Sequence, residues 1–357
     1  MSLRRVPCAV LAHKFLWTVF LLVCIAGGLT PGVAWGKYLQ LEGVADVKSR
    51  FSDGCSSVQE LANIAQLKGL DVVIFSDHDR YALEYGIMPF RRIFKKKVEG
   101  ASILTSGASA YLSEINDNDK NYPDTILIPA VESAPFYYWT GGLLGKDLVA
   151  NNWDKHLLIV GLDHPEDYEQ LPILNSNFSN RYTSQFMPQF LLLLTLFLAS
   201  LIPIYKNYYR RLCIVLMVGF FLLLVNNHPY RSSSFDQYHG DQGIAPFQET
   251  IDYAKSKNAL VFWNHLESTT GMGKTGLVGL ATTPHPEDLL ASKNYTGFQA
   301  VSDGVTHMTE PGKEWDQALL QYIQGMRDHP VWGYGGNDFH CEEEGGNKLV
   351  NVKTVFL

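Results

Sequence analysis

Histidine and carboxylate side chains recur along this chain at positions where they could bind a metal. The segments IFSDHD, IPAVES, FWNHLES and YGGNDFH each place such residues directly after an apolar run. Neutral imidazole and carboxylate groups bind Zn, Mn or Fe, and a mixed nitrogen and oxygen set is typical of a hydrolytic centre. A single histidine after a strand is more often structural, so the interpretation depends on the whole set. The predicted metal ligands are Asp53, His78, Glu132, His156, His265, Asp338 and His340.

The segments between these residues predict an α/β fold with a largely parallel sheet. Ser57 and Glu60 have the spacing of a capping box that opens a helix, and Gly69 suits the end of that helix. Helical spacing recurs over residues 249–257 and 315–327. Strands that alternate with helices form parallel sheets, whose sites lie at the carboxyl ends of the strands. The short β-rich runs cover residues 44–47, 71–75, 125–128, 157–160, 259–263 and 331–334.

The overall composition argues against some classes of protein. The chain has 357 residues and a formal net charge of -7, whereas nucleic-acid-binding proteins normally present a basic face. Its five cysteines are too few for a disulfide scaffold. Cys55 and Cys341 each adjoin a candidate ligand motif. They are predicted to be free thiols or, as the alternative in an oxidising compartment, to form a bridge.

Three apolar segments predict attachment to a membrane. Residues 1–36 join a basic start to an apolar run, which is typical of a signal peptide or an uncleaved N-terminal anchor. Residues 186–229 hold two apolar runs around the basic tip KNYYRR and predict a transmembrane helical hairpin, with a hairpin buried in a soluble core as the alternative. Under the positive-inside rule the basic tip is cytoplasmic. Residues 37–185 and 230–357 then share the outer, periplasmic or extracellular, side of the cytoplasmic membrane as one interrupted domain.

The segment SRFSDGCSSVQELANIAQLKGLDVVIFSDHD, residues 49–79, resembles the opening of the polymerase and histidinol phosphatase (PHP) domain family. In that family an HxH pair precedes an SDG turn, a helix and a strand that ends in TDHD. The resemblance spans both polar halves of the chain and implies a distorted seven-stranded β/α barrel, up to three metal ions and phosphoesterase chemistry. It also implies metal-ligand roles for the matching positions, with His164 as a competitor for the fourth. After Asp53 and His78 these are Glu132 in PAVES, His156 in KHLLIVGL, His265 in WNHLES, and Asp338 and His340 in the closing DFH.

The first motif departs from the family pattern. Counting back from Ser52, the HxH positions hold Asp46 and Lys48, and this spacing places both on one face of a strand. Asp46 remains a candidate metal ligand, whereas a protonated Lys48 cannot bind a metal. In one hypothesis Lys48 replaces one ion, stabilises negative charge and holds the substrate phosphate, which makes it the candidate catalytic residue. In the other, the centre has decayed and the domain binds a ligand without turning it over.

Together these features predict a membrane-anchored, metal-dependent phosphoesterase of the PHP type. We expect one to three divalent ions (Zn, Mn or Fe), which clamp a phosphoryl group and lower the pKa of a bound water. The expected substrate is a phosphorylated small molecule, and no nucleic-acid partner is expected. The alternative is a catalytically degenerate PHP-like domain that binds or senses a phosphorylated or anionic ligand.

Two further segments of the sequence lead to structural predictions. The basic run RRIFKKK, residues 91–97, is predicted to be a solvated helix face, with contact to phosphates or anionic lipid headgroups as the alternative. The final run VNVKTVFL is strand-like. Because the family usually continues with a further helix, this ending suggests that the second part of the barrel is truncated.

Overall fold

The computed structural model describes residues 39–142, 147–205, 208–275, 278–302, 306–336, 338–342 and 348–356. The predicted signal peptide or anchor, residues 1–36, lies outside the described residues. The strands of the described chain are β1 Leu41–Val47, β2 Val72–Phe75, β3 Ala82–Gly86, β4 Lys95–Glu99, β5 Ile126–Ser133, β6 Tyr138–Thr140, β7 Val149–Asn151, β8 His156–Val160, β9 Leu260–Asn264, β10 Thr270–Thr275, β11 Val278–Thr282, β12 Gly297–Val301, β13 Trp332–Gly335 and β14 Thr354–Phe356.

Helices separate most of the strands. A capping box between Ser57 and Glu60 opens the first helix, as predicted, and the buried face of that helix includes Val58 and Leu61. The helices are α1 Val58–Leu67, α2 Ile103–Ser106, α3 Ala108–Asn121, α4 Pro165–Glu169, α5 Thr183–Tyr205, α6 Arg210–Asn226, α7 Ala245–Ser256, α8 Asp288–Ala291 and α9 Glu314–Ile323.

The main sheet has the strand order β13-β12-β9-β8-β5-β2-β1-β14. Parallel pairing joins β1, β2 and β5, and also β9, β12 and β13, so the carboxyl ends of these strands meet at one edge. Strand β8 instead runs antiparallel to both of its neighbours, β5 and β9. Its amino end therefore lies at the same edge, which brings His156, the first residue of β8, beside side chains that follow the other strands.

Hydrogen bonds between the two ends of this sheet close it into a nearly complete barrel. Val47, the last residue of β1, forms a parallel bridge with Phe339, which follows β13. The Lys48 amide donates to the Phe339 carbonyl at 2.8 Å, and the Phe339 amide donates to the Asp46 carbonyl at 2.8 Å. We call this junction the barrel seam. The predicted seven-stranded β/α barrel is confirmed at this level, with β14 added antiparallel to β1.

Alternate strand residues face two apolar layers, as the period of two in a strand requires. Val73 and Phe75 of β2 belong to the larger core, which also includes buried residues of α1, α3 and α7. Val72 and Ile74 belong to a second cluster with Ala130 of β5. Burying each large aliphatic side chain contributes roughly 1.5–3 kcal/mol. The two layers hold the strand ends, and hence the candidate site, in fixed positions.

The segment RRIFKKK is not helical, so its prediction as a helix face is wrong. Residues 91–94 form turns, and Lys95 begins β4, which pairs antiparallel with β3. Lys95 Nζ lies 2.7 Å from Glu84 Oε2 across this pair. Strand β3 satisfies the backbone N–H and C=O groups of β4, which a helix would satisfy within itself. The sequence of the segment alone does not indicate this pairing.

Helices α5 and α6 form a hairpin between β8 and β9, two strands that pair directly with each other. The hairpin therefore lies between two paired strands of the barrel. Among the described helices one, over Thr183–Ile202, is long and apolar enough to cross a membrane, with a mean hydropathy of 1.8 and none of that window buried. The alternative of a hairpin buried in a soluble core is wrong, because many apolar side chains of α5 are exposed, including Leu192 and Ile202. Helix α6 has 17 residues, about 26 Å at 1.5 Å per residue, so the predicted pair of spans is not shown.

Candidate metal centre

The predicted ligands meet at the edge of the barrel where the carboxyl ends of the parallel strands lie. A cavity of about 230 Å³ opens at this edge. Tyr81, Asp154 and Ser268 also line it, and the sequence analysis did not single them out. All seven predicted ligands line the cavity: Asp53, His78, Glu132, His156, His265, Asp338 and His340.

The possible ligand atoms form three groups, within each of which they lie no more than 4.8 Å apart in the described chain. The His78 imidazole stands between two of them, with Nε2 3.5 Å from Asp53 Oδ2 and Nδ1 3.5 Å from Glu132 Oε2. Asp338 belongs to none of the groups, but its Oδ2 lies 3.7 Å from His265 Nε2. The first group is Asp53, His78 and His340, the second is His78, Glu132 and His156, and the third is Asp46, Glu132 and His265.

The unpartnered nitrogens of this centre fit a divalent cation. His156 Nδ1 and His265 Nε2 are buried and make no hydrogen bond in the described chain, although Glu132 oxygens lie 3.4 and 3.3 Å away. Buried polar atoms are rarely left without a partner unless an ion or a function accounts for them. Imidazole nitrogens combined with carboxylate oxygens are the donor set that Zn and related ions prefer.

The Lys48 ammonium contacts both carboxylates of the third ligand group, those of Asp46 and Glu132. Its side chain is fully buried, and Nζ lies 2.7 Å from Asp46 Oδ1, 2.8 Å from Glu132 Oε2 and 3.6 Å from Asp338 Oδ1. Nζ also donates to Ser76 Oγ at 3.2 Å. Burial alone would lower the pKa of Lys48, but the three carboxylates outweigh it and raise this pKa well above its ordinary value. Lys48 is therefore an ammonium ion that neutralises the carboxylates around it.

The geometry of the site does not favour contact between Lys48 and a substrate phosphate, so this contact stays a prediction. An ammonium has three N–H donors. The contacts with Asp46, Ser76 and Glu132 engage all three. In this arrangement Lys48 acts on the site through the carboxylates that it neutralises and holds in place.

An amide and a phenol that the sequence analysis missed support the same carboxylates. Asn264 Nδ2 donates to Glu132 Oε1 at 2.8 Å and to Asp46 Oδ2 at 3.2 Å. The Tyr334 hydroxyl in turn donates to Asn264 Oδ1. The position of Asn264, immediately before His265 at a strand end, was the only local signal for its role. Such partners fix the orientation of ligands and are part of a metal site.

Asp77, which was also missed, positions the turn that carries Asp53. Asp77 Oδ1 accepts from the Ser49 amide at 2.8 Å and from Ser52 Oγ at 2.7 Å, and its Oδ2 accepts from Ser49 Oγ at 2.7 Å. The turn also requires Gly54, since a Cβ there would lie 2.3 Å from the Lys48 carbonyl oxygen. The SDG and SDHD segments thus hold each other in place.

The backbone at the site is strained at three positions. Asp46, His265 and Asp338 have φ angles of 67°, 54° and 41°, in the left-handed region that non-glycine residues rarely adopt. Each such residue costs about 1–3 kcal/mol and persists only where the surrounding structure enforces it. At Asp46 the strain coincides with a shift in the register of β1 against β2. Strain of this kind clusters at functional sites, which independently marks this edge of the barrel.

The electrostatic field of the centre favours cations. Burial opposes a proton on His265, but Asp338 and Glu132 outweigh it and raise the pKa of His265 to about 10. In the same way Asp53 and Asp338 overcome burial and raise the pKa of His340 to about 9. The carboxylates therefore draw positive charge to the site, as protons in the metal-free protein and as metal ions when these are present.

A disulfide lies beside the first ligand group. Cys55 and Cys341 are bonded, with their Cα atoms 5.2 Å apart across a sequence separation of 286 residues. The Cys55 amide also donates to the His340 carbonyl at 2.9 Å. Of the two alternatives, the bridge is therefore the one that the structure contains. It ties the turn of Asp53 to the segment of His340, two members of one ligand group.

Aromatic rings form one side of the entrance to the centre. The Tyr81 ring stacks on His78 with centroids 5.4 Å apart and meets the Trp153 ring edge-on at 5.7 Å. His164 competed with His156 for the fourth position, but it is exposed at the start of α4 and lies outside the centre. His156 is therefore the member of the set.

No family model matches the chain, and neither does any curated protein. Some solved structures are similar. A candidate metal-dependent phosphoesterase from Bifidobacterium adolescentis is 14% identical at a TM-score of 0.39, over 87% of this chain and 92% of its own. An amidohydrolase from Chromobacterium violaceum, with bound sulfate and no metal, is 12% identical at a TM-score of 0.36, over 86% and 90%.

A third similar structure is a two-domain protein from Bacteroides vulgatus that contains a predicted PHP-like metal-dependent phosphoesterase. It is 12% identical at a TM-score of 0.33, over 85% of this chain, which spans about half (53%) of that protein. The three likenesses are distant, with TM-scores below 0.5, and they do not establish an activity for this chain. Its chemistry follows from its own residues.

Proposed function

We propose that this chain is a metal-dependent phosphoesterase of the PHP type, acting on a phosphorylated small molecule. One observation carries the proposal: the first and second ligand groups share His78, and all their members line a cavity of about 230 Å³. We call these two the open ligand groups, because Asp46 of the third group does not line that cavity. Divalent ions held there would supply Lewis acidity and lower the pKa of a bound water. The residues that would hold them are Asp53, His78, Glu132, His156 and His340, with His265, Asp338 and Asp46 beside the third position.

The residues of the chain divide the work in this proposal. Lys48 takes the place of a third ion and favours the ionised forms of Asp46 and Glu132, so the barrel interior needs no metal there. His78 stands between the two open groups and orients the oxygens of Asp53 and Glu132. The Tyr81 ring, which Trp153 contacts edge-on, would restrict access of water from one side. With divalent ions bound, the cavity would present positive charge to an entering phosphoryl group.

Metal content and turnover of simple phosphoesters test the proposal together. The full chain is purified in neutral detergent and loaded in turn with Zn, Mn and Fe, its metal is counted by elemental analysis, and hydrolysis of 4-nitrophenyl phosphate and bis(4-nitrophenyl) phosphate is measured. We expect bound metal together with turnover of at least one of the two. A chain that holds no stoichiometric metal under any loading condition contradicts the proposal.

A binding or sensing domain is the second candidate function, and the position of Lys48 favours it. An ammonium that permanently fills one cation position leaves fewer ions to activate a water and stabilise a transition state. In this case the loaded protein binds metal and an anionic ligand but hydrolyses neither phosphoester. The same measurements separate the two candidates, because only the phosphoesterase requires turnover.

We also propose that the hairpin of α5 and α6 anchors the barrel to the cytoplasmic membrane with the barrel on the outer side. Support comes from the apolar, unburied window Thr183–Ile202 and from the basic residues at the tip, such as Arg210 and Arg211. The disulfide adds support, since such bonds persist in oxidising compartments. Both ends of the hairpin join the barrel, so one side of the membrane holds both halves of it.

Labelling of single added cysteines tests this orientation. Lys96→Cys lies on the exposed strand β4, and Tyr208→Cys lies at the exposed tip of the hairpin. A membrane-impermeant maleimide applied to intact cells is expected to label Lys96→Cys and to label Tyr208→Cys only after the cells are permeabilised. The reverse pattern would place the barrel inside, and labelling of both in intact cells would mean that the hairpin does not cross the membrane.

A further inference from the structure

A second polar cavity, of about 210 Å³, lies where the hairpin joins the barrel. The Arg92 amide donates to Asn226 Oδ1, at the end of α6, at 2.9 Å. The Arg231 guanidinium lies 3.7 Å from the centroid of the Phe186 ring, in the first turns of α5. We call it the hairpin-base cavity, and the residues used below to argue its ligand are Arg91, Arg92, Lys95, Asn175, His228 and Arg231.

The hairpin-base cavity carries an excess of positive charge. Four cationic side chains line it, against the two carboxylates of Glu84 and Asp236. Glu84 is already paired with Lys95 at 2.7 Å. In the described chain no carboxylate oxygen lies within 4.0 Å of Arg91, Arg92 or Arg231. Three guanidinium groups therefore face the cavity without a direct counter-ion.

Several nitrogen atoms in the cavity wall lack partners. Arg91 Nε, Arg231 Nε, Asn175 Nδ2 and His228 Nδ1 are all buried and make no hydrogen bond in the described chain. Leaving a buried donor unsatisfied costs about 1–3 kcal/mol. Four such atoms around one cavity, three of them N–H donors by their chemistry, indicate a missing acceptor with several oxygens.

The charge of the surroundings agrees with the missing acceptor being an anion. Burial, followed by the charges of Arg92, Arg231 and Lys95, lowers the pKa of His228. Burial and then Arg92 lower the pKa of Arg231 to about 10. In both cases burial is the larger cause of the pKa shift, and the neighbouring cations add to it in the same direction. The cavity is smaller than the roughly 300–1,000 Å³ of pockets for drug-sized ligands, which suits a single anionic group.

We propose that the hairpin-base cavity binds a phosphate group, through the guanidinium groups of Arg91, Arg92 and Arg231. Arginine matches phosphate oxygens with parallel N–H donors, which Lys cannot do. The group comes either from an anionic phospholipid headgroup beside the hairpin or from a free phosphorylated solute. The site is independent of the metal centre, so it stands whether or not the chain is a phosphoesterase. In this proposal Arg91 and Arg92, the first two residues of RRIFKKK, contact a phosphate group. This is the alternative that was predicted for that segment.

Binding measurements on the full chain in neutral detergent, with chelator present so that metals add no phosphate affinity, test the site. The probes are inorganic phosphate, followed by titration calorimetry, and mixed micelles of phosphatidylglycerol and phosphatidylcholine, followed by native mass spectrometry of the retained lipid. Arg231→Gln is expected to weaken binding roughly tenfold or more, since hydrogen bonds to charged groups contribute most. Lys96→Gln removes one charge from the same basic run on an exposed strand and serves as the matched control.

The two probes distinguish the sources of the phosphate group. Saturable binding of inorganic phosphate that Arg231→Gln weakens and Lys96→Gln spares supports a free solute. Selective retention of phosphatidylglycerol with the same variant pattern, and no affinity for inorganic phosphate, supports the headgroup. If Arg231→Gln fails to fold, Arg91→Gln takes its place, because Arg91 stacks on the Tyr238 ring at 4.0 Å and also has an unpartnered Nε. Equal binding by parent, control and arginine variants overturns the proposal.

Discussion

Lys48→Met is expected to lower the free energy of unfolding by about 3–5 kcal/mol in the presence of chelator, because it leaves a set of buried carboxylates without their counter-charge. Asp46 and Glu132 are fully buried beside the Lys48 ammonium, and Asp338 lies 3.6 Å from it. Methionine keeps most of the side-chain volume, so the effect measures charge rather than a cavity. Thermal and urea unfolding of parent and variant give the difference.

Added metal should restore the free energy of unfolding that Lys48→Met loses. If the ammonium occupies a cation position, a divalent ion can replace it in the variant, so added Zn or Mn should raise the stability of Lys48→Met by more than that of the parent. Lys96→Met, on the exposed strand β4, is the matched control and should change neither quantity. A variant as stable as the parent under chelation, or one that metal stabilises no more than the parent, would contradict the role given to Lys48.

His78→Ala is expected to affect both open ligand groups at once. One ring nitrogen faces Asp53 and the other faces Glu132, each at 3.5 Å, so the ring can bind one ion while it orients the carboxylate of the other group. We expect metal content to fall and kcat/KM for the best phosphoester to drop by roughly 100-fold or more, since even indirect partners of a metal commonly contribute 10–100-fold.

Elemental analysis and steady-state kinetics measure the two effects of His78→Ala. His307→Ala is the control, because His307 is exposed and pairs with Glu310 at 3.0 Å away from the centre. If His78→Ala keeps the metal content and turnover of the parent, as His307→Ala should, then His78 does not hold a metal. A loss of metal without any measurable turnover in the parent would instead favour the binding domain.

Local sequence patterns predicted the residues that meet at the cavity because most of them follow an apolar strand, where the periodicity stops. His156 is an exception. It begins its strand rather than ending it, and it joins the others only because β8 runs in the opposite direction. The resemblance to a family order included it in the set that meets at the cavity, whereas the prediction of a largely parallel sheet did not account for it.

Residues that act through long-range contacts could not be predicted in this way. Asn264 contacts Asp46 across a sequence separation of 218 residues, and Tyr334 reaches Asn264 across 70. The strand GFQAV, β12, was missed because it is short, buried and flanked by no motif. The segment RRIFKKK was misassigned because β3, its partner, is not part of the local pattern. In each case the deciding contact is tertiary.

The barrel seam imposes an order on how the molecule is assembled. Asp53 and Cys55 lie at the start of the barrel, and His340 and Cys341 lie near the end of the described chain, with the hairpin between them. During synthesis the barrel stays open until Phe339 has been added, since the hydrogen bonds from Lys48 to Phe339 and from Phe339 to Asp46 join its two ends. Contacts of such high sequence separation form slowly. The first ligand group therefore forms only after residues 340 and 341 have been synthesised, so a nascent chain that stops before His340 lacks one of its members.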